Sequence, residues 1–285
     1  MGNFTYGGQA VIEGVMMRGP DEMAIAVRRP DASIVVQRQP IASWLNASWL
    51  MKTPILRGTG ALIDALVLGI KALSFSASQQ GEDEEEQLSS TEIAVTIAIA
   101  MLAGAFLFIV VPTSAAHLVR AWVPNLFLQN LLEGIVRIGV FFAYILLMAR
   151  MPEIQRVFQY HGAEHKVIHA HEAGVELTVD NAQRYTTEHP RCGTSFLLFV
   201  MVLKILVFSL LPDAALAMKV LFRLALVPLV AGISYELIKL SGKYPAMGLV
   251  RLFILPGLWL QRLTTREPDD QQVEVAIHAL QAVRR

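Results

Sequence analysis

Residues 93–111 form an unbroken run of 19 uncharged, mostly apolar residues, and this run constrains the fold more than any other feature. At a rise of about 1.5 Å per residue, a helix of this length crosses a hydrocarbon core of roughly 30 Å. The run lies too deep in the chain to be a cleaved signal peptide. It therefore predicts a transmembrane helix rather than a buried helix of a large soluble core.

The composition supports a membrane protein. Hydrophobic residues make up 54% of the 285 residues and charged residues 17%, against about 45–50% and 25% in a typical soluble domain. Because 24 basic residues balance 24 acidic ones, no basic excess exists to bind nucleic acid, and we expect no nucleic-acid partner. An intrinsically disordered chain is excluded by the high apolar content. The single cysteine, Cys192, cannot form an intrachain disulfide.

Three further segments are predicted to span the membrane: Ile135–Met148, extended upstream through Leu131, then Phe196–Leu211 and Ala214–Ile233. The last two contain charged residues, which are costly in the middle of a bilayer. These residues are Lys204, Lys219 and Arg223. They either extend toward the membrane interface or face a polar cavity.

Two other apolar stretches are predicted to lie at the membrane surface. The stretch 247–260 is too short to span comfortably and contains Pro256, which indicates an interfacial or re-entrant segment. In residues 55–73 the charges Arg57, Asp64 and Lys71 recur at intervals of seven. This spacing places them near one face, as in an amphipathic helix on a bilayer.

Basic residues predict the orientation. Five of them lie between positions 150 and 191, and seven precede the first span, whereas the segment around Pro212 and Asp213 has none. The positive-inside rule therefore places the N-terminus and the 150–195 loop in the cytoplasm. With four spans the basic C-terminal tail is cytoplasmic too. A fifth span at 247–260 would place this tail outside.

The predicted fold class is mainly α: a polytopic membrane helical bundle of about four spans, with a small N-terminal β-hairpin region and a cytoplasmic His-rich segment. The chain divides into a glycine-rich and hairpin region (1–54), an amphipathic helix with an acidic linker (55–90), a transmembrane hairpin (91–149), the His-rich segment (150–195), a second transmembrane hairpin (196–245) and an interfacial segment with a tail helix (246–285).

The polar N-terminal region contains two patterns. Two β-branched runs within 23–38 flank a Pro-Asp turn and predict a β-hairpin. Before them, residues 7–20 contain four glycines, which indicate backbone bends or close backbone contacts. This segment matches no nucleotide-binding motif. It is either a glycine-rich strand pair or part of a site, where Glu13 and Arg18 would orient a substrate.

Histidine is concentrated in one segment. Five of the seven histidines lie between 161 and 189. On a helix His161, His165 and His169 share a face, because they follow one another at intervals of four residues. Glu172 returns close to that face. Imidazoles one turn apart can bind a single metal ion, so the segment predicts a metal site.

The pattern His161-x-x-Glu164-His165 fits the H-x-x-E-H arrangement. In that chemistry the two histidines bind Zn²⁺, and the glutamate is the general base for a water that the metal activates. Because imidazole, carboxylate and thiolate all suit Zn²⁺, zinc is the favoured divalent metal. The candidates for further ligands are His169, Glu172, Glu176, Glu188, His189 and Cys192.

Other interpretations of the histidines stay open. The cluster is also consistent with a structural or pH-responsive polar network, or with a solvated histidine-rich face. Cys192 with His189 would be a less favoured nucleophile pair, since the cysteine directly precedes a predicted span. In the tail, Pro268 with two following aspartates predicts the start of an amphipathic helix. Its apolar stripe consists of Val273, Ile277 and Leu280.

Four segments of the chain form a recognisable set: Tyr6–Arg18, Tyr160–Lys166, His189–Phe196 and Leu263–Pro268. Together they resemble the YqhQ-like family of uncharacterised bacterial membrane proteins. The resemblance covers nearly the whole chain and implies a location in the bacterial inner membrane. The family is one of unknown function and is described as a predicted metal-dependent enzyme, which implies no particular reaction.

The leading functional hypothesis is a metal-dependent hydrolase that acts on a peptide or lipid substrate at the inner leaflet. The ligands would be His161 and His165, and Glu164 would be the base. A first alternative is a non-catalytic accessory factor for the insertion, assembly or quality control of membrane proteins, which would bind that biogenesis machinery. A second alternative is a transporter or channel, in which Lys204, Lys219 and Arg223 line an anion path.

Overall fold

The computed structural model describes residues 6–41, 53–81, 90–118, 122–211, 216–243 and 248–284. Within these ranges the protein is mainly helical, with one four-stranded sheet. The strands are β1 (Gly7–Val11), β2 (Gly14–Arg18), β3 (Glu22–Arg28) and β4 (Ile34–Pro40). The helices are α1 (Leu56–Ser78), α2 (Ser90–Ala105), α3 (Val111–Leu118), α4 (Leu126–Met148), α5 (Pro152–Glu172), α6 (Val179–Gln183), α7 (Gly193–Ser209), α8 (Leu216–Lys243), α9 (Gly248–Thr264) and α10 (Asp270–Val283).

The sheet consists of two consecutive hairpins. Its order is β1-β2-β3-β4, and each strand is antiparallel to the next. The predicted 23–38 hairpin is confirmed as β3 and β4. The glycine-rich segment forms β1 and β2, as its strand-pair interpretation predicts, and the turn between them holds Glu13 at a φ of 48°.

The two central strands are buried on both faces, so their sequences read as apolar runs rather than as alternating patterns. On one face, Val15 and Met17 pack against α5 and α10 in a shared core. On the other face, Met16 and Ile25 pack against Leu68 of α1. The sheet with α1, α5 and α10 thus forms a three-layer module, which we call the α/β module.

The tail helix is an integral layer of this module. It begins at Asp270 as predicted, because Asp269 and Gln272 form a reciprocal capping box at its first turn. The predicted stripe of Val273, Ile277 and Leu280 is buried against the sheet and α5. The tail therefore docks on its own protein.

Three helical stretches among the described residues are long and apolar enough to cross a membrane, and they indicate a membrane protein. Two of them, Ala94–Ala115 and Leu126–Met148, coincide with the predicted spans at 93–111 and 131–148 and confirm that these segments are long apolar helices. The latter begins earlier than predicted, because the Asn125 side chain caps the helix by accepting from the Leu128 N–H at 3.1 Å. A π-helical turn, Phe106–Val110, lies between α2 and α3.

The predicted spans at 196–211 and 214–233 fall on α7 and α8. Their apolar stretches in the described residues are shorter, Leu197–Ser209 and Ala225–Leu237. The stretch 247–260 falls on α9, which packs against α7 and α8. The total of four spans stays a prediction.

The third candidate span is α1, which was predicted as a surface helix. It lies along the sheet, where Asp64 pairs with Arg18 at 2.6 Å and the Ser76 hydroxyl accepts from the Ile12 N–H at 3.3 Å. Its length would also permit a span. The side away from the sheet exposes an apolar stripe of Ile63, Leu66, Val67, Ile70 and Leu73. A helix that packs on its own protein with one face and exposes apolar side chains on the other suits a bilayer surface.

Candidate metal centre

Helix α5 carries the histidines at the junction between the α/β module and the apolar helices. Three residues separate it from the end of α4, and Pro152 lies in its first turn. Gly162 lies inside the H-x-x-E-H pattern, where glycine weakens a helix. A Cβ at this position would lie 2.1 Å from the Arg266 carbonyl oxygen. The glycine is therefore required by the close approach of the segment that follows α9.

Three predicted ligands converge into one group, His161, His165 and Cys192, which we call the first trio. Their potential ligand atoms all lie within 4.8 Å of one another. The His161 Nε2 is 3.2 Å from the Cys192 Sγ, and the two imidazole centroids are 4.5 Å apart. The interval of four residues on α5 brings the imidazoles together, as predicted, and the start of α7 supplies the thiol.

Backbone carbonyl groups orient both imidazoles of the first trio. The His161 Nδ1 donates to the Thr264 carbonyl oxygen at 2.8 Å, and the His165 Nδ1 donates to the Thr187 carbonyl oxygen at 2.5 Å. A carbonyl oxygen only accepts, so each Nδ1 carries a proton, and in the neutral ring each Nε2 keeps its lone pair. Burial holds the pKa of His165 well below its ordinary value, which keeps this ring neutral. Metal-binding histidines are commonly oriented in this way.

Cys192 is the N-cap residue of α7 and is buried. The Thr194 hydroxyl lies 3.1 Å from the Cys192 Sγ, and the Thr194 N–H donates to the same sulfur at 3.5 Å. The thiolate is the form that binds metals, and the N-terminus of a helix favours negative charge. These contacts therefore favour the ligand form of the cysteine.

Glu164 lies beside the first trio and is 4% exposed. Its Oε2 is 3.8 Å from the His165 Nε2, and its Oε1 accepts from the Gly8 N–H at 3.0 Å. Burial raises the pKa of Glu164 to about 7, and His161 opposes part of this increase. A carboxyl group with a pKa near neutrality is suited to general acid–base chemistry.

Three of the remaining predicted ligands, His169, Glu172 and His189, form a second group, which we call the second trio. Arg191 forms an ion pair with the carboxylate of Glu172. The Nδ1 of His189 accepts from the Arg191 N–H at 3.3 Å, so in the neutral ring its Nε2 carries the proton. That Nε2 faces the Glu172 Oε2 at 3.6 Å. Burial lowers the pKa of His189 to about 4.

The first trio and Glu164 line a cavity of about 600 Å³, a volume typical of ligand sites. Its walls include the β1 segment, Arg191 and His189. Ile145 of α4 also lines it, one turn before that candidate span ends. The cavity thus lies where the α/β module meets the apolar helices.

Sequence reasoning missed the groups that hold the ligands in place. These are the Gly8 N–H and the carbonyls of Thr187 and Thr264, together with the Gln261 amide. Gln261 accepts from the His189 N–H at 2.7 Å and donates to the His189 carbonyl oxygen at 2.9 Å. Gly8 and Thr264 lie in two of the segments that resemble the YqhQ-like family, and this is the signal that marks them.

The predicted substrate-orienting residues lie elsewhere. Glu13 accepts from Arg156 and from the Tyr160 hydroxyl, at 2.5 and 3.2 Å, and Arg18 pairs with Asp64. Neither residue lines the cavity.

Two other carboxylates that were candidate ligands also lie outside both trios. Glu188 pairs with Arg262 at 2.8 Å, and Glu176 is exposed. Of the three basic residues in the last two predicted spans, Lys204 has its Nζ 5.4 Å from the centroid of the Phe208 ring. The side chains of Lys219 and Arg223 are outside the described residues.

The first trio fits a divalent metal by its chemistry. Two imidazole nitrogens and one thiolate form a donor set that suits Zn²⁺, and three protein ligands are the usual number at a catalytic zinc. Each donor is buried or half-buried and is oriented by a second hydrogen bond. The second trio fits less well, because the carboxylate of Glu172 is already paired with Arg191 and, in the neutral ring, the Nε2 of His189 carries a proton.

The fold and the site together define a class: a protein with three helices long and apolar enough to cross a membrane, in which an α/β module carries a His₂Cys–Glu cluster at the ends of apolar helices. A family model described as a protein of unknown function (DUF1385) matches residues 53–285. The uncharacterized protein YqhQ of Bacillus subtilis (strain 168) is 38% identical over 288 residues, which cover 96% of this chain and 91% of that protein. The chain belongs to this DUF1385 family. No solved structure matches.

Proposed function

We propose that the protein is a metal-dependent hydrolase that acts on a membrane-associated peptide or lipid substrate. The observation that supports this function most directly is the convergence of His161, His165 and Cys192 beside a buried carboxyl group, Glu164. Two imidazoles and a thiolate bind the metal, and Glu164 is the catalytic residue. Zinc is the favoured metal because this donor set matches its preferences.

When bound, a divalent cation of this kind acts as a Lewis acid and makes water nucleophilic at neutral pH. The protein's own residues transfer the protons and orient the catalytic carboxyl group. Glu164, with a pKa of about 7, accepts a proton from the attacking water and returns it to the leaving group. The Gly8 N–H holds one carboxylate oxygen, so that the other faces the histidines.

The proposed location is the cytoplasmic face of the bacterial cytoplasmic membrane, with both termini in the cytoplasm. The cavity supports this placement, because its wall includes Ile145 of α4, and Cys192 directly precedes α7. A site at the ends of two apolar helices lies level with the bilayer surface. The basic residues of the 150–195 segment support the inner side for this surface.

The test compares two glutamate-to-glutamine variants of the full-length protein in lipid vesicles. Glu164→Gln removes the proposed base and retains the metal, so turnover of a membrane lipid extract or an added membrane peptide falls by about 10²–10⁴-fold. Glu172→Gln is the matched control, with near-normal turnover. Products are detected by mass spectrometry. Loss of metal in Glu164→Gln would make this residue a ligand or a support rather than a base. Equal turnover by the wild type and Glu164→Gln would contradict the proposal.

A second candidate function is favoured by the exposed stripe of α1. Such a surface also suits an accessory factor for the insertion, assembly or quality control of membrane proteins, which binds another protein's apolar segment. This function predicts that Glu164→Gln supports membrane-protein assembly as well as the wild type does. It also predicts that Leu66→Glu abolishes that assembly while the metal content is unchanged.

A further inference from the structure

A second cavity lies among the apolar helices and is separate from the metal ligands. It has a volume of about 510 Å³ and is bordered by α2 with its π-helical turn, by α4 and by α7. Apart from Arg137, Tyr144 and Lys204, every residue that lines it is apolar. We call this cavity the intramembrane slot, because two of its walls belong to candidate spans.

The intramembrane slot adjoins the metal cavity. Ile145 of α4 lines both of them. From Ile145 the wall of the slot continues along α4 to Arg137, eight residues earlier, which corresponds to about 12 Å of helix. An occupant of the slot would therefore extend from the middle of the apolar helices to the edge of the candidate metal centre.

The charged groups of the slot are engaged with the protein. Arg137 donates to the Glu133 Oε1 at 2.6 Å and to the Phe108 carbonyl oxygen at 3.0 Å. The Thr113 hydroxyl donates to the same Glu133 oxygen at 3.2 Å. Lys204 lies over the Phe208 ring. The deep end of the slot thus holds a compensated charge pair, which requires no anion from the ligand.

The dimensions and lining favour a hydrocarbon chain over a polypeptide. A helix with a diameter of about 10 Å and a length of about 12 Å would need roughly 900 Å³, more than the slot contains. An extended peptide would fit, but its backbone N–H and C=O groups would find few partners among apolar walls, at a cost of several kcal/mol each. An acyl chain has no such groups.

We propose that the intramembrane slot holds an acyl chain of the substrate, so that the substrate is a membrane lipid or a lipid-linked molecule whose polar part reaches the metal cavity at Ile145. This inference rests on the proposed hydrolase function and narrows its substrate from peptide or lipid to lipid. The chain lies between α2, α4 and α7. The bond to be cleaved lies beyond Ile145, next to Glu164.

Two glycines provide a matched pair of variants. Gly104 lines the slot, and a Cβ there would have no heavy atom within 4 Å, so Gly104→Phe fills the slot without striking the backbone. A Cβ on Gly139 is equally unobstructed, but Gly139 is exposed and does not line the slot. Gly139→Phe is therefore the control for adding the same side chain to an apolar helix.

The experiment uses full-length protein in nanodiscs with a phosphatidylethanolamine that carries a diazirine in one acyl chain. After irradiation, the adducts are mapped by peptide mass spectrometry, with and without excess unlabelled lipid. We expect saturable adducts on slot residues such as Ile138 and Met201, and non-saturable adducts on outward-facing residues such as Leu102. Gly104→Phe should lose the saturable adducts, whereas Gly139→Phe should keep them.

Other results would overturn the inference. Adducts confined to outward-facing residues of the wild type would show that no lipid enters the slot, whether or not Gly104→Phe folds. Labelling of the slot by a diazirine-bearing apolar peptide, but not by the lipid, would assign it to a peptide.

The metal content of the same preparation separates the two hypotheses. A metal-loaded protein without slot adducts contradicts the lipid inference alone. Slot adducts on a protein that binds no metal contradict the hydrolase, and with it the role of the bound lipid as a substrate.

Discussion

The two histidine trios contain similar donors at similar distances, yet their surroundings differ. In the first trio, the Nδ1–H groups of His161 and His165 each donate to a backbone carbonyl oxygen, and the Nε2 atoms face the other members of the trio. In the second trio, the Arg191 side chain forms an ion pair with the carboxylate of Glu172. The Arg191 N–H donates to the His189 Nδ1, so in the neutral ring the proton lies on Nε2, the nitrogen that would have to bind the metal. Short distances between donor atoms are therefore not enough to make a metal site. The hydrogen bonds on the far side of each donor decide which group can bind a metal.

The largest expected contrast between the trios concerns thiolate ligation. We expect the Co²⁺-substituted protein to show sulfur-to-cobalt charge-transfer absorption, because Cys192 belongs to the first trio. Cys192→Ser should abolish this absorption, and Glu172→Gln should preserve it. Retention of the band in Cys192→Ser would be incompatible with our assignment, since no other cysteine is present.

The next prediction uses the pH dependence of stability in metal-free protein. Because burial raises the pKa of Glu164 to about 7, the folded state is still protonated between pH 4.5 and 7 while the unfolded state ionises. The free energy of unfolding therefore falls as pH rises through this window, by up to about 3 kcal/mol. The full loss of stability is reached above pH 7. Glu164→Gln removes the penalty and should raise the melting temperature at pH 8 but not at pH 4.5.

The matched control is Glu172→Gln in the second trio, which replaces a half-exposed carboxylate paired with Arg191. It should show no such gain at pH 8. If Glu164→Gln were instead less stable than the wild type at pH 8, the ionised carboxylate would be stabilised in the fold and our description of its surroundings would be wrong.

A third prediction concerns the close backbone approach behind His161. Gly162→Ala places a Cβ 2.1 Å from the Arg266 carbonyl oxygen and should cost about 1–3 kcal/mol of stability. The displaced segment also carries Thr264, so metal affinity should fall as well. Gly139→Ala, on an unobstructed helical surface, should not destabilise the protein. Thermal denaturation and metal titration of both variants distinguish a steric effect from a general effect on helices.

The smallest expected effect comes from the group that supports the thiolate. Thr194→Val removes the hydroxyl that lies 3.1 Å from the Cys192 Sγ, and should weaken metal affinity about tenfold. Metal-buffer titration measures the change. The corresponding removal of Arg191 from the second trio, Arg191→Met, should leave this affinity unaltered. A larger loss of metal affinity in Arg191→Met than in Thr194→Val would indicate that the second trio is the metal site.

Much of this arrangement was predictable from local sequence. The interval of four residues placed His161 and His165 on one helix face, and the capping residues predicted the start of the tail helix. These features depend on a single element of secondary structure, whose geometry is known before any tertiary contact forms.

The remainder depends on contacts between distant segments. The separation of His169, Glu172 and His189 from the first trio follows from the 176–190 segment, whose Thr187 and Glu188 carbonyl oxygens each hold a different histidine. The role of Gly8 follows from a hydrogen bond across 156 residues. The tail helix becomes a layer of the core because the sheet offers it an apolar face. No periodicity in the sequence encodes these pairings.

The central claim is that the first trio binds one metal ion, and elemental analysis of purified protein tests it most directly. We predict about one equivalent of Zn²⁺ or another divalent transition metal per chain, as expected for a three-ligand site. The metal should be lost in His161→Ala/His165→Ala and retained in His169→Ala/Glu172→Ala. Metal-free wild-type protein, or loss of the metal in the second variant with retention in the first, would contradict the account.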